Sequence, residues 1–182
     1  GDRVATSPPL MWVEALDRMM ARLEASGLDL SRLAAISGSA QQHGSVYLNG
    51  TWARVLESLT SDRPIADQIG GILSREESPV WMDSSTAEEC AEIAAAVGGE
   101  GVLAQRTGSR AFERFTGPQI RRFYKQSPQA YRATARVHLV SSFLASILAG
   151  TDAPVDPGAG SGLNLMDLAE NEWWLGAVAG TV

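Results

Sequence analysis

Leu33-Ala-Ala-Ile-Ser-Gly-Ser-Ala-Gln-Gln-His-Gly44 changes character halfway along. Leu33–Ser37 is a short apolar run ending in small residues, the pattern of a buried strand that stops at a sharp turn. Gly38 and Gly44 free the backbone around that turn. Between them stand two amides and an imidazole, Gln41, Gln42 and His43. Glutamine offers both donors and acceptors, and neutral histidine offers one of each, which suits a hydroxyl-rich ligand. A strand-end turn whose polar residues face water has the same pattern.

Working outward, Ser7-Pro8-Pro9 reads as a helix start, with Ser7 as cap and proline in the first turn. Trp12, Ala15, Leu16, Met19, Met20 and Leu23 follow at helical spacing until Gly27, so these side chains are core. Ser45-Val-Tyr-Leu48 is expected to pair with Leu33–Ser37. Asn49-Gly50 predicts a hairpin into Thr51-Trp52-Ala53. From Glu57 to Glu77 the pattern predicts short helical pieces and loop. Pro79-Val80-Trp81 reads as another strand, and Thr86 with Glu89 as the capping box of a helix through Val97, closed by Gly98-Gly99. Helices are expected over 101–105, from Thr116 to Gln126, from Pro128, and over Leu139–Leu148 up to Gly150. The remainder is loop-rich, with a strand pair around Gly162–Leu168. The result is an α/β architecture whose strand ends deliver polar loops to one edge, where ligands of such sheets commonly bind.

The 182 residues suffice for one core and are short for two ordinary domains. A net charge of -6 argues against nucleic acid as a partner, because phosphate neutralisation needs a basic surface. A local exception is the run from Arg106 to Arg136, which holds Arg106, Arg110, Arg114, Arg121, Arg122, Lys125, Arg132 and Arg136 against one acid, Glu113. Solvated helix faces explain most of these charges, and an anionic cosubstrate or product would need only one or two of them. Cys90 is the only cysteine, and His43 and His138 are the only histidines, so neither an internal disulfide nor a Cys/His metal site is expected. No apolar run approaches the length of a membrane span, and Gly1-Asp-Arg-Val-Ala lacks a leader's basic-then-apolar order. The expected location is cytoplasmic, with no membrane partner.

Three segments carry a resemblance when taken in order: Ser37–Gly44, then Pro79-Val-Trp-Met-Asp-Ser-Ser-Thr86, then Arg106-Thr-Gly-Ser-Arg-Ala-Phe-Glu-Arg-Phe-Thr-Gly-Pro-Gln-Ile120. Together they resemble the FGGY carbohydrate kinases, above all their xylulose kinase branch. Asn164-Leu-Met-Asp167 continues the likeness, which runs from about Ser7 to Trp173. In the glycine-rich stretch Asp156-Pro-Gly-Ala-Gly-Ser-Gly162 the family usually carries Asp-Gly-Ser-Gly, and this chain has Ala159 in place of that aspartate. The stretch also lacks the Gly-Lys-Ser/Thr ending of a P-loop.

The resemblance implies a ribonuclease-H-like domain of the actin and hexokinase type, here partial: residues 1–182 would form part of the first domain. It implies ATP-dependent phosphorylation of the terminal hydroxyl of a ketose or polyol, most of all D-xylulose. ATP and Mg2+ would be bound mainly by segments absent here, since neither the opening Asp-x-Gly-Thr hairpin nor the catalytic aspartate in its Gly-Asp-Asn context occurs. The fragment alone would then be inactive. The implied substrate contacts are Gln42, His43, Trp81, Asp83 and Arg114. For Trp81 a place in the core is the alternative, for Asp83 a helix cap, and for Arg114 an ion pair with Glu113 or another carboxylate. Phe115 is expected in the core. A homodimer and a non-catalytic sugar-binding or interaction module derived from such a kinase both stay open. A Ser/His/Asp hydrolase built on His43 with Ser37, Ser39 or Ser45 has no Gly-x-Ser-x-Gly elbow to support it.

Overall fold

The computed structural model describes residues 3–182; Gly1 and Asp2, where the leader reading begins, lie outside them. The chain opens with β1 (Thr6–Ser7) and α1 (Leu10–Ala25). Ser7 is therefore a strand residue rather than a cap, and Pro9 occupies the N-cap without a side-chain hydrogen bond. β2 (Ser45–Asn49), α2 (Trp52–Glu57), α3 (Ala66–Ile69) and β3 (Ser78–Pro79) follow. Next come α4 (Ala87–Ala96), α5 (Glu100–Thr107), α6 (Thr116–Gln126), α7 (Pro128–Arg132), β4 (Thr134–Leu139) and α8 (Val140–Ala149). The chain closes with α9 (Pro157–Gly160), β5 (Met166–Asp167), β6 (Glu172–Trp173) and α10 (Leu175–Ala179). No helix among the described residues is long and apolar enough to cross a membrane.

The strands form three antiparallel pairs, β1 with β3, β2 with β4 and β5 with β6. The central pair sets Ser45 opposite Leu139, Tyr47 opposite Val137 and Leu48 opposite Arg136. Side chains alternate across a strand, and β2 uses both faces. Val46 and Leu48 join Val13 and Leu16 of α1, Trp52 and Leu56 of α2, and Phe143 and Ile147 of α8 in one core. Tyr47 points the other way, onto Ile120 and Phe123 of α6 with Leu163 and Leu165. The Arg75 guanidinium stacks on Tyr47 and Phe123, 5.0 and 4.9 Å from their ring centres. β2 is thus buried between two helical layers, and its loops are held from both sides.

Four expectations are corrected here. Leu33–Ser37 is not a strand and does not pair with β2. One edge of β2 is taken by β4; on the other, Leu48 bridges Leu73 and Ser74 N–H donates to the Tyr47 carbonyl. Asn49-Gly50 does not make a hairpin: the Asn49 carboxamide accepts from Thr51 N–H and Oγ1, and the chain enters α2. Thr86 is the N-cap of α4 but makes no capping bond, because its hydroxyl donates to the Glu113 carbonyl. The stretch before α8 is β4, which takes Leu139, expected as the first residue of that helix, together with Thr134–His138, for which no element was expected.

Leu33 and Ile36 consequently lie about half exposed along an extended segment. Between that segment, α1 and α8 runs an apolar groove of about 810 Å³, lined by Trp12, Met19, Ile36, Val140, Leu144 and Leu148 among others.

His138 on β4 is buried in the first layer. Its Nε2 lies 2.8 Å from Asp152 and its Nδ1 2.9 Å from Ser142 Oγ. Burial is the main influence on the ring and lowers its pKa, with Asp152 pulling the other way. Since the folded pKa lies below the unfolded value of about 6.5, the unfolded chain binds more protons as pH falls through that value. Stability should therefore decline on the acid side of about pH 6.5. The full-length protein should lose more Tm between about pH 7 and about pH 5 than its His138→Gln variant. Equal losses by differential scanning fluorimetry would assign the acid sensitivity to other groups.

Candidate functional site

The Gln41–Gly44 turn leads directly into β2, so its geometry is inherited from the buried strand. His43 adopts a left-handed backbone, φ +69°, rare for a residue with a Cβ and costing on the order of 1–2 kcal/mol. Three contacts hold it there. Its Nδ1 lies 2.9 Å from the Gly162 carbonyl, its ring centre lies 4.7 Å from that of Phe115, and Thr116 Oγ1 donates to its own carbonyl at 3.1 Å. Burial lowers the His43 pKa; the Gly162 hydrogen bond works against this and the Arg114 charge adds to it. The ring is neutral at physiological pH.

His43, Gln42 and Arg114 border one open cleft of about 320 Å³, together with Thr107, Ser109 and Ser161. Arg114 sits in the turn before α6, where Phe115 N–H donates to the Phe112 carbonyl, and its guanidinium lies 5.6 Å from the Phe112 ring centre. The ion-pair alternative fails, since among the described residues Arg114 has no carboxylate within salt-bridge distance. The rest of the basic run is mostly spoken for. Arg106 pairs with Asp167, Arg121 with Glu92, Lys125 with Glu88, Glu89 and Glu92, Arg136 with Asp152, and Arg122 donates to the Ser85 carbonyl. Among the described residues, Arg114 is the one of the eight that borders this cleft, and no carboxylate there lies within salt-bridge distance of it. A rigid fork of donors beside an imidazole can fix a ligand oxygen in one orientation.

Trp81 and Asp83 border a second, adjoining cleft, which shares Arg114 with the first. Trp81 is 54% exposed, so it is not a core residue; its N–H faces the Gln41 carboxamide at 3.4 Å, which ties the two segments together. Asp83 is 2% exposed, and both of its oxygens are engaged by Ala5 N–H, Ser85 N–H and Oγ, and Gln119 Nε2. Burial pushes this carboxyl's pKa up, but the donors outweigh it and hold the group below its ordinary range. Asp83 does not cap α4, whose N-cap is Thr86; it fastens the Trp81 turn to β1 and α6. Phe115 is buried, as expected.

Sequence reasoning missed Thr107, Ser109, Ser161 and Gly162 as cleft residues. The Thr-Gly-Ser run and the glycine-rich stretch were visible, but nothing in their spacing brings them to His43. The hydrolase reading finds no support in these contacts. His43 reaches no serine, and Ser45 Oγ donates to the Tyr47 hydroxyl. Ser142, His138 and Asp152 do form a hydrogen-bonded chain, yet Ser142 is 3% exposed and its Oγ accepts from Leu139 N–H at the start of α8.

No protein-family model matches the sequence. Curated relatives do. The chain is 47% identical over 175 residues to xylulose kinase 2 of Arabidopsis thaliana, covering 96% of this chain and 31% of that protein. It is 46% identical over 168 residues to the xylulose kinase of Mus musculus, covering 92% of this chain and 30% of that protein. Among solved structures, the xylulose kinase from Rhodospirillum rubrum superposes with a TM-score of 0.80 at 20% identity, covering the whole of this chain and 33% of that one. A xylulose kinase from Bifidobacterium adolescentis gives 0.74 at 19% identity, covering 97% and 35%. These structures share the fold, and the chain spans about a third of the length of the relatives it matches. An identity near one half, sustained over nearly every residue of this chain, makes it similar to about a third of the length of these xylulose kinases.

Proposed function

We propose that residues 1–182 are the sugar-binding part of the first, ribonuclease-H-like domain of an ATP-dependent kinase that phosphorylates the terminal hydroxyl of a ketose, D-xylulose above all. The observation that carries this reading is the cleft that joins the neutral His43 ring to a guanidinium with no carboxylate partner. Arg114 donates to a sugar oxygen, His43 engages a hydroxyl, and Gln42, whose amide has both donor and acceptor, adds a third contact. Trp81 offers an exposed indole face as a wall for the carbon side of the sugar from the adjoining cleft. Asp83 shapes this site through the turn it fastens.

In the complete enzyme a carboxylate outside these residues takes the proton of the attacking hydroxyl as its oxygen meets the γ-phosphate of ATP. The residues described here orient that hydroxyl, and orientation is a large share of the barrier reduction. Among the described residues no group of three or more His, Cys, Asp or Glu side chains gathers to hold a metal ion. ATP and Mg2+ belong, in this reading, to the remaining two thirds of the protein, and the site is cytoplasmic.

Two measurements test this. Isothermal titration of the full-length protein with D-xylulose should show saturable binding that the His43→Ala variant loses. The isolated chain should release no ADP from ATP in the presence of D-xylulose beyond that variant's background. Sugar-dependent ADP release by the isolated chain would overturn the assignment of the phosphoryl-transfer machinery to other segments.

A further inference from the structure

His43 is held through one ring nitrogen only. A carbonyl oxygen has no proton to give, so at 2.9 Å from the Gly162 oxygen it is Nδ1 that donates. In an uncharged imidazole the other nitrogen, Nε2, then carries a lone pair and no hydrogen. No side chain or backbone group among the described residues donates to Nε2, and the ring borders the cleft.

The close approach depends on what residue 162 is. A Cβ added to Gly162 would lie 2.9 Å from His43 Cε1, 3.0 Å from its Nδ1 and 3.2 Å from Gln42 Nε2. The turn that delivers this carbonyl is closed by Asn164, 1% exposed and left-handed at φ +63°. Asn164 Nδ2 donates to Thr107 Oγ1 at 2.5 Å and to the Ser109 carbonyl at 2.9 Å. Thr107 Oγ1 in turn lies 2.8 Å from the Leu103 carbonyl and 3.0 Å from that of Ser109, so its proton goes to one of these acceptors and a lone pair faces Asn164. This fixes the amide's orientation, and Asn164 Oδ1 is left buried without a partner. Thr107 and Ser109 line the cleft themselves, so Asn164 ties the Gly162 turn to another wall of the same cleft.

We propose that the Gly162–Asn164 turn is a positioning element of the sugar site. It fixes His43 in the Nδ1–H tautomer, so that Nε2 accepts a hydrogen bond from a ligand hydroxyl, and Asn164 holds the turn in register. The identity of the ligand rests on the sugar-site reading above; the tautomer and the role of Asn164 do not. The ligand group opposite His43 must then be a donor, so replacing that hydroxyl by fluorine or a methoxy group removes the contact.

The test is the ring ¹⁵N spectrum of the full-length protein, with His43 assigned by its Gln variant, read beside steady-state kinetics on D-xylulose. The wild type should show a pyrrole-type Nδ1 and a pyridine-type Nε2, and saturating D-xylulose should shift Nε2. Gly162→Ala and the near-isosteric Asn164→Asp, which puts an oxygen against the Ser109 carbonyl, should both mix the tautomers. Each should raise the KM for D-xylulose about tenfold, as expected for one lost hydrogen bond, with a smaller change in kcat. A pyridine-type Nδ1 in the wild type overturns the proposal. So does Asn164→Asp with unchanged ring shifts and KM, which keeps the test decisive if Gly162→Ala does not fold. An intact Nδ1–H tautomer whose Nε2 ignores D-xylulose overturns the sugar-site reading instead.

Discussion

With the proposed sugar site, Arg114→Ala in the full-length protein is expected to lower kcat/KM for D-xylulose by about 10–100-fold, the usual weight of a hydrogen bond from a charged donor. The side chain is exposed on the wall of the His43 cleft and holds no carboxylate, so its removal breaks no internal ion pair. Its guanidinium lies 5.6 Å from the Phe112 ring centre, a contact worth about 0.5–1 kcal/mol at an exposed site. Stability should therefore stay within about 1 kcal/mol of wild type, a Tm change of a few degrees at most. Arg114→Lys should recover only part of the loss, because an ammonium lacks the planar fork. Unchanged kinetics with D-xylulose would remove Arg114 from the site.

The 182 residues expressed alone are expected to bind a hydrophobic dye and to self-associate. The groove beside Leu33–Ser37 leaves Trp12, Met19, Ile36 and Leu148 as an apolar wall against water. Among the described residues no strand pairs with this segment, and an unpaired stretch of this kind is a template for other chains. Each Leu or Ile that a neighbouring segment covered would contribute about 1.5–3 kcal/mol of burial. The resemblance puts the opening hairpin strands of the first domain beside this segment, so the full-length protein should bind little dye and melt cooperatively. A monomeric fragment with a sharp thermal transition and no dye binding would make an independent sugar-binding module the better reading.

The elements most legible in the sequence were those with a long periodic face or a marked terminus. α6 runs from Thr116 to Gln126 as expected, and α1 and α8 end at the glycines that predicted their ends. β2 was legible as a strand, but its partner was not. Pairing is decided by which edges are vacant, and Leu73–Ser74 and β4 fill both. β4 was missed because Thr134-Ala-Arg-Val-His-Leu139 is half exposed and runs into α8 without a break. His43 and Arg114 were legible only through motif order, since 71 positions separate them (114 minus 43) and nothing local joins them. Asn164 and Gly162 stayed hidden because their partners, Thr107 and His43, lie 57 and 119 positions away.

That separation of 119 positions between His43 and the Gly162 carbonyl bears on how the protein is made. A ribosome releases the chain from its N-terminus, so His43 leaves the tunnel long before the turn that orients it. Until Gly162 emerges, the imidazole lacks its Nδ1 partner and the cleft lacks the wall that Ser161 and Gly162 supply. Closing so long a loop also carries an entropic cost that local helices avoid. The proposed sugar site is thus among the last parts of this region to exist on the nascent chain.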